Sequence, residues 1–141
     1  MKKYKIGYTT GVFDMFHIGH LNILRRAKEQ CEHLIVGVST DELVREYKHK
    51  TPIIPYDERA EIVSAIKYVD EVLPQTAIDK YEAWNNLKFN VLFHGDDWKG
   101  TDLYLNLEKK FNSVGVDIVY LPHTSGVSST SLAEKLHTLN K

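Results

Sequence analysis

The chain has 141 residues, 43% of them hydrophobic and 26% charged, with a formal net charge of −1. That length allows one compact domain with a sizeable core, and the even charge balance, without a basic stripe, argues against a nucleic-acid groove. The single cysteine, Cys31, leaves no internal disulfide and fits a reducing cytoplasm. As a lone thiol near the end of a helical pattern, Cys31 reads as a packing residue. The N-terminal stretch is a short apolar run interrupted by Lys5, so neither a signal peptide nor a membrane span is expected.

Strand and helix signals alternate. Tyr4 to Thr10 reads as a strand, and Ile18 to Gln30 as a helix with Leu21, Leu24, Ala27 and Lys28 near one face. His33 to Val38 is a nearly continuous apolar run, as expected of a strand covered on both faces. Ser39, Thr40, Asp41 and Glu42 offer caps for a short helix. Arg45 to Pro55 is polar, carries Lys48, His49, Lys50 and two prolines, and reads as a mobile loop. Pro55 opens a helix over Tyr56 to Lys67 with Ile62, Ala65 and Ile66 as its apolar stripe. Val69 to Leu73 reads as a short strand stopped by Pro74, Ile78 to Leu87 as a weaker helix, and Val91 to His94 as a strand. Leu103 to Phe111 then reads as a helix, Val116 to Leu121 as a strand and Pro122 to Ser128 as a turn. A last helix begins around Ser129 to Ser131, where Ser131 and Glu134 fit a capping box. Five strands with helical crossovers predict an α/β fold: a Rossmann-like, doubly wound, parallel five-stranded sheet with helices on both faces. The expectation is one domain over residues 1–141.

In such sheets ligands bind beyond the carboxyl ends of the strands. The unusual clusters fall there: Gly11 to His20, Gly95 to Trp98, and His123 to Thr130. The first runs from a strand through a glycine turn into a helix start, with His17 and His20 three residues apart. N–H groups of a helix's first turn attract phosphate oxygens, and histidines at that spacing project to one side and can donate to the same anion. Gly95-Asp96-Asp97-Trp98 taken alone is equally an acidic turn with a packed tryptophan, and Lys48 and Lys50 are equally solvated loop charge. His123 to Thr130 has the composition of a loop closing onto a helix N-terminus, with hydroxyls and N–H groups suited to phosphates.

Gly11-Val12-Phe13-Asp14-Met15-Phe16-His17-Ile18-Gly19-His20 resembles the G-x-F-D-x-x-H-x-G-H signature of the cytidylyltransferases within the nucleotidylyltransferase superfamily. The likeness is greatest to the glycerol-3-phosphate branch. Lys48-His49-Lys50 resembles that family's K-x-K loop, Tyr56-Asp57-Glu58-Arg59 its Y-E-x-R helix start, and Tyr68-Val69-Asp70-Glu71-Val72 its R-Y-V-D-E-V segment. Gly95-Asp96-Asp97-Trp98 matches G-D-D-W, and Val119 to Thr130 is similar to V-Y-L-P-R-T-E-G-I-S-T-T. In this order and spacing the motifs are specific and span nearly the whole chain.

The resemblance implies transfer of CMP from CTP, with magnesium (Mg2+), to a small alcohol phosphate, above all glycerol 3-phosphate, giving CDP-glycerol and pyrophosphate. The acceptor's own phosphate oxygen attacks the α-phosphorus in line, so positioning and charge stabilisation carry the rate. By the same resemblance His17, His20, Lys48 and Lys50 are the catalytic set. Val12, Phe13, Asp14, Gly19, Asp97 and Trp98 are nucleotide-binding, as are His123, Thr124, Gly126, Val127, Ser128 and Thr130. Lys48 and Lys80 are acceptor-side candidates, and Asp14 either binds magnesium through water or caps its turn, with the structural role favoured. A cytoplasmic homodimer acting on small molecules is implied, without nucleic acid or membrane, and with a product that feeds teichoic-acid, capsule or lipid head-group synthesis. Four positions depart from the pattern: His123 and Lys67 stand where the family has arginine, Val12 where it has threonine, and Ser129 changes the closing I-S-T-T. Val127-Ser128-Ser129-Thr130 also resembles the I-S-S-T of the superfamily's adenylyltransferases. The alternatives are therefore choline, ethanolamine or ribitol phosphate as acceptor, then adenylyl transfer, then a catalytically silent nucleotide-binding module.

Overall fold

Strands that are apolar throughout need cover on both faces, and here they receive it. The computed structural model describes residues 2–96 and 99–122. Its elements run β1 (Tyr4–Gly11), α1 (Ile18–Gln30), β2 (Cys31–Ser39), α2 (Asp41–Lys48), α3 (Tyr56–Ser64) and β3 (Glu71–Gln75). They continue with α4 (Lys80–Leu87), β4 (Val91–Gly95), α5 (Asp102–Asn112) and β5 (Asp117–Leu121). The five strands form one parallel sheet in the order β3-β2-β1-β4-β5. The chain winds outward from β1 through β2 to β3, then returns to lay β4 on the other side of β1. That reversal is the switch point at which such sheets open a crevice beyond the strand ends. Gly11 and Gly95 end the two strands that flank it.

Helices α1 and α3 cover one face, where Leu24, Ala27 and Val63 join Leu34, Val36, Val91 and Phe93. Helices α4 and α5 cover the other, where Trp84, Leu87 and Phe111 meet Tyr8, Ile35 and Leu92. The doubly wound α/β sheet expected from the sequence is the one that forms. Each fully buried leucine or phenylalanine contributes about 1.5–3 kcal/mol relative to leaving it in water. Cys31 opens β2 directly after α1, fully buried, with its Sγ 3.4 Å from the Ala27 carbonyl. The packing role holds.

Three local expectations are corrected. Helix α2 runs on to Lys48, so Arg45 to Lys48 are helical rather than the first part of a loop. The Thr40 hydroxyl accepts the Leu43 N–H at 3.2 Å, Leu43 and Val44 are buried, and together cap and core hold the short helix. Helix α3 ends at Ser64, and its buried residues are Arg59 and Val63. Ile62, expected on the apolar stripe, is 43% exposed, and Ala65 is exposed as well. Pro74 lies inside β3, paired with Val38, rather than beyond its end. β3 is an edge strand, where a residue without an N–H can face the open side and leave the ladder intact. The helix expected from Ser131 lies outside the described residues. Among the described residues no helix is long and apolar enough to cross a membrane.

Gly7, in the middle of β1, is required by close approach. A Cβ there would stand 2.6 Å from Phe93 Cε2 and 2.8 Å from Cys31 Sγ. Gly7→Ala should therefore cost about 1–3 kcal/mol of stability through overpacking, read as a lower urea midpoint. An unchanged midpoint would contradict this packing of β1 on β4.

Candidate active site

The turn between β1 and α1 is built under strain. A Cβ on Gly11 would lie 2.9 Å from the Phe13 ring, which folds back over the glycine. Phe13 and Met15 both adopt left-handed backbone, with φ of 56° and 49°. Such residues cost about 1–3 kcal/mol each and persist only where the surroundings over-determine them. Two anchors do so here. Phe13 is buried at 5% exposure in the core that holds Leu24. Asp14 accepts the N–H groups of Ile53 and Ile54 on its two carboxylate oxygens, at 2.8 and 2.9 Å. Its carboxylate therefore fastens the turn to the segment that follows α2.

The two histidines cap α1 reciprocally. His17 is the N-cap, and its Nδ1 accepts the Gly19 N–H at 3.0 Å. His20 stands at the third helical position, and its Nδ1 accepts the His17 N–H at 3.1 Å. This is a capping box with imidazoles in place of the usual hydroxyl and carboxylate. The rings stack at 3.9 Å between centroids and 24° between planes. Because a backbone N–H can only donate, both Nδ1 atoms are lone-pair acceptors, and each neutral ring carries its proton on Nε2. The N–H groups of His17 and Gly19 are thus taken by the rings, and the rings present donors of their own. His17 Nε2 is buried and has no partner among the described residues. An orphaned buried donor costs about 1–3 kcal/mol, and an oxygen of a bound phosphate is the kind of acceptor that relieves it.

Both rings are held neutral. Burial pushes His17 below the ordinary histidine range. Burial first, and then the neighbouring His17, push His20 down to about 4, against a smaller upward pull from Asp14.

The second half of the site hangs on Arg59, which is 1% exposed. Its Nε donates to the Ile54 carbonyl at 2.7 Å. Nη1 donates to the carbonyls of Val12 and Ser39 at 2.7 and 2.8 Å, and Nη2 to Asp41 Oδ1 at 2.6 Å. In the sequence Arg59 only closes the Tyr56-Asp57-Glu58-Arg59 motif, without a role of its own. The signal was present, because Tyr56, Arg59, Val63 and Ile66 fall on one helical stripe, and a charge on an otherwise inward stripe needs buried partners. Lys48 closes α2, His49 turns the chain through a left-handed conformation with φ 57°, and Lys50 follows, exposed. The Lys48 ammonium is lowered from its ordinary range by the protein around it and by Lys50, with Asp14 opposing.

The turn carrying Val12, Phe13, Asp14, His17, Gly19 and His20 is thus joined, through Asp14 and Arg59, to the segment carrying Lys48 and Lys50. Lys80 is elsewhere. It starts α4, is buried, donates to the Ile78 carbonyl at 3.3 Å, and is pushed down to about 8 by burial. It lines a groove of about 190 Å³ with Tyr8, Gln75 and Ala83, and no residue from 11–20 lines that groove. Asp97, Trp98, His123, Thr124, Gly126, Val127, Ser128 and Thr130 lie outside the described residues.

The family model described as cytidylyltransferase-like matches residues 8–135. The chain belongs to the cytidylyltransferase-like family. It is 35% identical over 135 residues to the glycerol-3-phosphate cytidylyltransferase of Bacillus subtilis, covering 91% of this chain and 94% of that one. It is 39% identical over 116 residues to the FAD synthase of Pyrococcus abyssi, covering 80% and 77%. The solved structure of the lipopolysaccharide core biosynthesis protein from Thermoplasma volcanium superposes with a TM-score of 0.71 at 26% identity, over 86% of this chain and 97% of that one. The chain is accordingly a nucleotidyltransferase.

The imidazole cap sets a pH dependence. The His20 value of about 4 in the folded chain lies below the unfolded value near 6.5, so the unfolded state binds more protons between them. Stability from this group is complete above about pH 6.5 and is lost as pH falls toward 4. His20→Asn keeps an acceptor for the His17 N–H but cannot titrate, and should flatten the fall in urea midpoint over that window. An equally steep fall in the variant would contradict it.

Proposed function

We propose that the chain transfers CMP from CTP to a small alcohol phosphate, glycerol 3-phosphate above all, forming CDP-glycerol and releasing pyrophosphate. The observation that carries this reading is the pair of neutral imidazoles at the start of α1, one with a buried Nε2 lacking a partner among the described residues. A phosphate monoester brings its own nucleophilic oxygen. That oxygen bonds to the α-phosphorus of CTP, the bond from the α-phosphorus to the oxygen bridging to the β-phosphorus breaks, and pyrophosphate departs with that oxygen. The protein supplies donors and charge around the transferring group. In this reading the Nε2–H groups of His17 and His20 bond its oxygens, and Lys48 and Lys50 offset the charge of the two phosphorylated substrates. Val12, Phe13, Asp14 and Gly19 shape the turn. Asp97, Trp98 and the stretch with His123, Thr124, Gly126, Val127, Ser128 and Thr130 hold the nucleotide, and Lys48 and Lys80 are the acceptor-side cations.

The described side chains do not make a resident magnesium site. No cluster of three metal-ligating side chains occurs among the described residues, and both Asp14 oxygens already accept backbone N–H groups. Magnesium enters this reading as the counter-ion of the triphosphate, where it keeps most of its waters, and no step is routed through a protein-held ion. A single domain over 1–141, homodimer assembly, a cytoplasmic setting and a product destined for teichoic acid, capsule or lipid head groups belong to the same reading on family resemblance.

Adenylyl transfer is the second reading, favoured by the likeness to FAD synthase and by Val127-Ser128-Ser129-Thr130. Pyrophosphate release decides between the two. It should appear with CTP and glycerol 3-phosphate and not with ATP; silence with CTP across glycerol, ribitol, choline and ethanolamine phosphates would overturn the proposal. His20→Ala should lower kcat by about 10²–10³-fold, the usual cost of removing one preorganised donor, and a variant at native rate would remove the histidine from the mechanism.

A further inference from the structure

Arg59 grips the lysine-bearing segment at both of its ends. Helix α2 begins at Asp41 and ends at Lys48, Lys50 follows, and the segment reaches Ile54. One guanidinium holds the Asp41 carboxylate at 2.6 Å and the Ile54 carbonyl at 2.7 Å. The same guanidinium holds the Val12 carbonyl of the histidine turn and the Ser39 carbonyl at the end of β2. Asp14, from that turn, takes the N–H of Ile54, so this one residue is held at its N–H by the turn and at its carbonyl by Arg59. With 1% exposure and four hydrogen bonds inside the protein, the guanidinium is not offered to a substrate phosphate.

We infer that Arg59 is a positioning residue, which keeps Lys48 and Lys50 in register with His17 and His20 so that both pairs meet the same substrate phosphates. The inference rests on the proposed reaction for its kinetic consequence, while its structural consequence stands without it. Only arginine fits the role. Its planar fork spans four acceptors in fixed directions, whereas a lysine ammonium is a single point on a flexible stem.

A double-mutant cycle separates positioning from general support. With both lysines present, Arg59→Lys should reduce kcat/KM at least about tenfold, and in the Lys48→Ala/Lys50→Ala background less than about twofold, because the groups it places are gone. Equal losses in the two backgrounds overturn the inference. Amide exchange supplies a readout that needs no activity. In Arg59→Lys the amides of Ile53 and Ile54 should exchange at least about tenfold faster while those of β1 and β2 hold, since local opening is confined to what Arg59 grips. A uniform rise across the sheet, or no rise at those two amides, overturns it. If the native chain releases no pyrophosphate from CTP, the proposed reaction fails and the exchange result alone decides. If Arg59→Lys does not fold, Asp41→Asn, which weakens the grip on the head of α2, replaces it with the same expected and contradicting outcomes.

Discussion

The site depends on the direction of one hydrogen-bonding group. A backbone N–H donates and cannot accept, so two imidazoles that cap a helix by taking such groups on Nδ1 carry their protons on Nε2. Protonating either Nδ1 would break a cap. Charging both rings would set two cations 3.9 Å apart, a repulsion of about 4 kcal/mol at an effective dielectric constant of 20. Burial acts in the same direction. Helix capping, ring stacking and desolvation therefore agree on a pair of neutral, oriented donors, fixed before any ligand arrives. Such preorganisation is what makes hydrogen bonds effective against developing charge.

The turn that bears these rings is expensive in itself, with two left-handed non-glycine residues in three positions. It is sustained by contacts from outside. Phe13 is locked in the core, Asp14 is bonded to Ile53 and Ile54, and the Val12 carbonyl is tied to Arg59. Arg59 is fully buried and Asp41 only partly so; removing Asp41 takes from the guanidinium a charge-assisted hydrogen bond worth about 1.5–3 kcal/mol, a sizeable share of a domain's net stability. The fold and the site thus share their strongest polar link, and the strain of the turn is offset by the packing of α3.

Most of the architecture was legible because periodicity is a local property. The nearly continuous apolar run around Ile35 announces a strand covered on both faces, and the glycine-to-histidine turn announces a helix start suited to phosphate. What escaped depended on partners distant in sequence. Pro74 read as a strand stop because nothing local says that β3 lies at the sheet edge. Ile62 read as core because a hydrophobic residue is presumed inward, when the inward position belonged to Arg59 with its four acceptors on other segments. Arg45 to Lys48 read as loop because polar composition outweighed a cap at Thr40 and two buried residues. The motif pattern pointed to the lysines, but only the structure tied the segment that carries them to the histidine turn.

Ring-nitrogen chemical shifts of ¹⁵N-labelled His17 and His20, followed through addition of CTP at pH 7, report whether the two imidazoles are preorganised donors to the nucleotide. Two neutral Nε2–H tautomers are expected before addition, with a selective shift of the His17 and His20 Nε2 resonances as the nucleotide binds. An imidazolium or Nδ1–H form in the free protein, or Nε2 signals unmoved at saturating CTP, would contradict it.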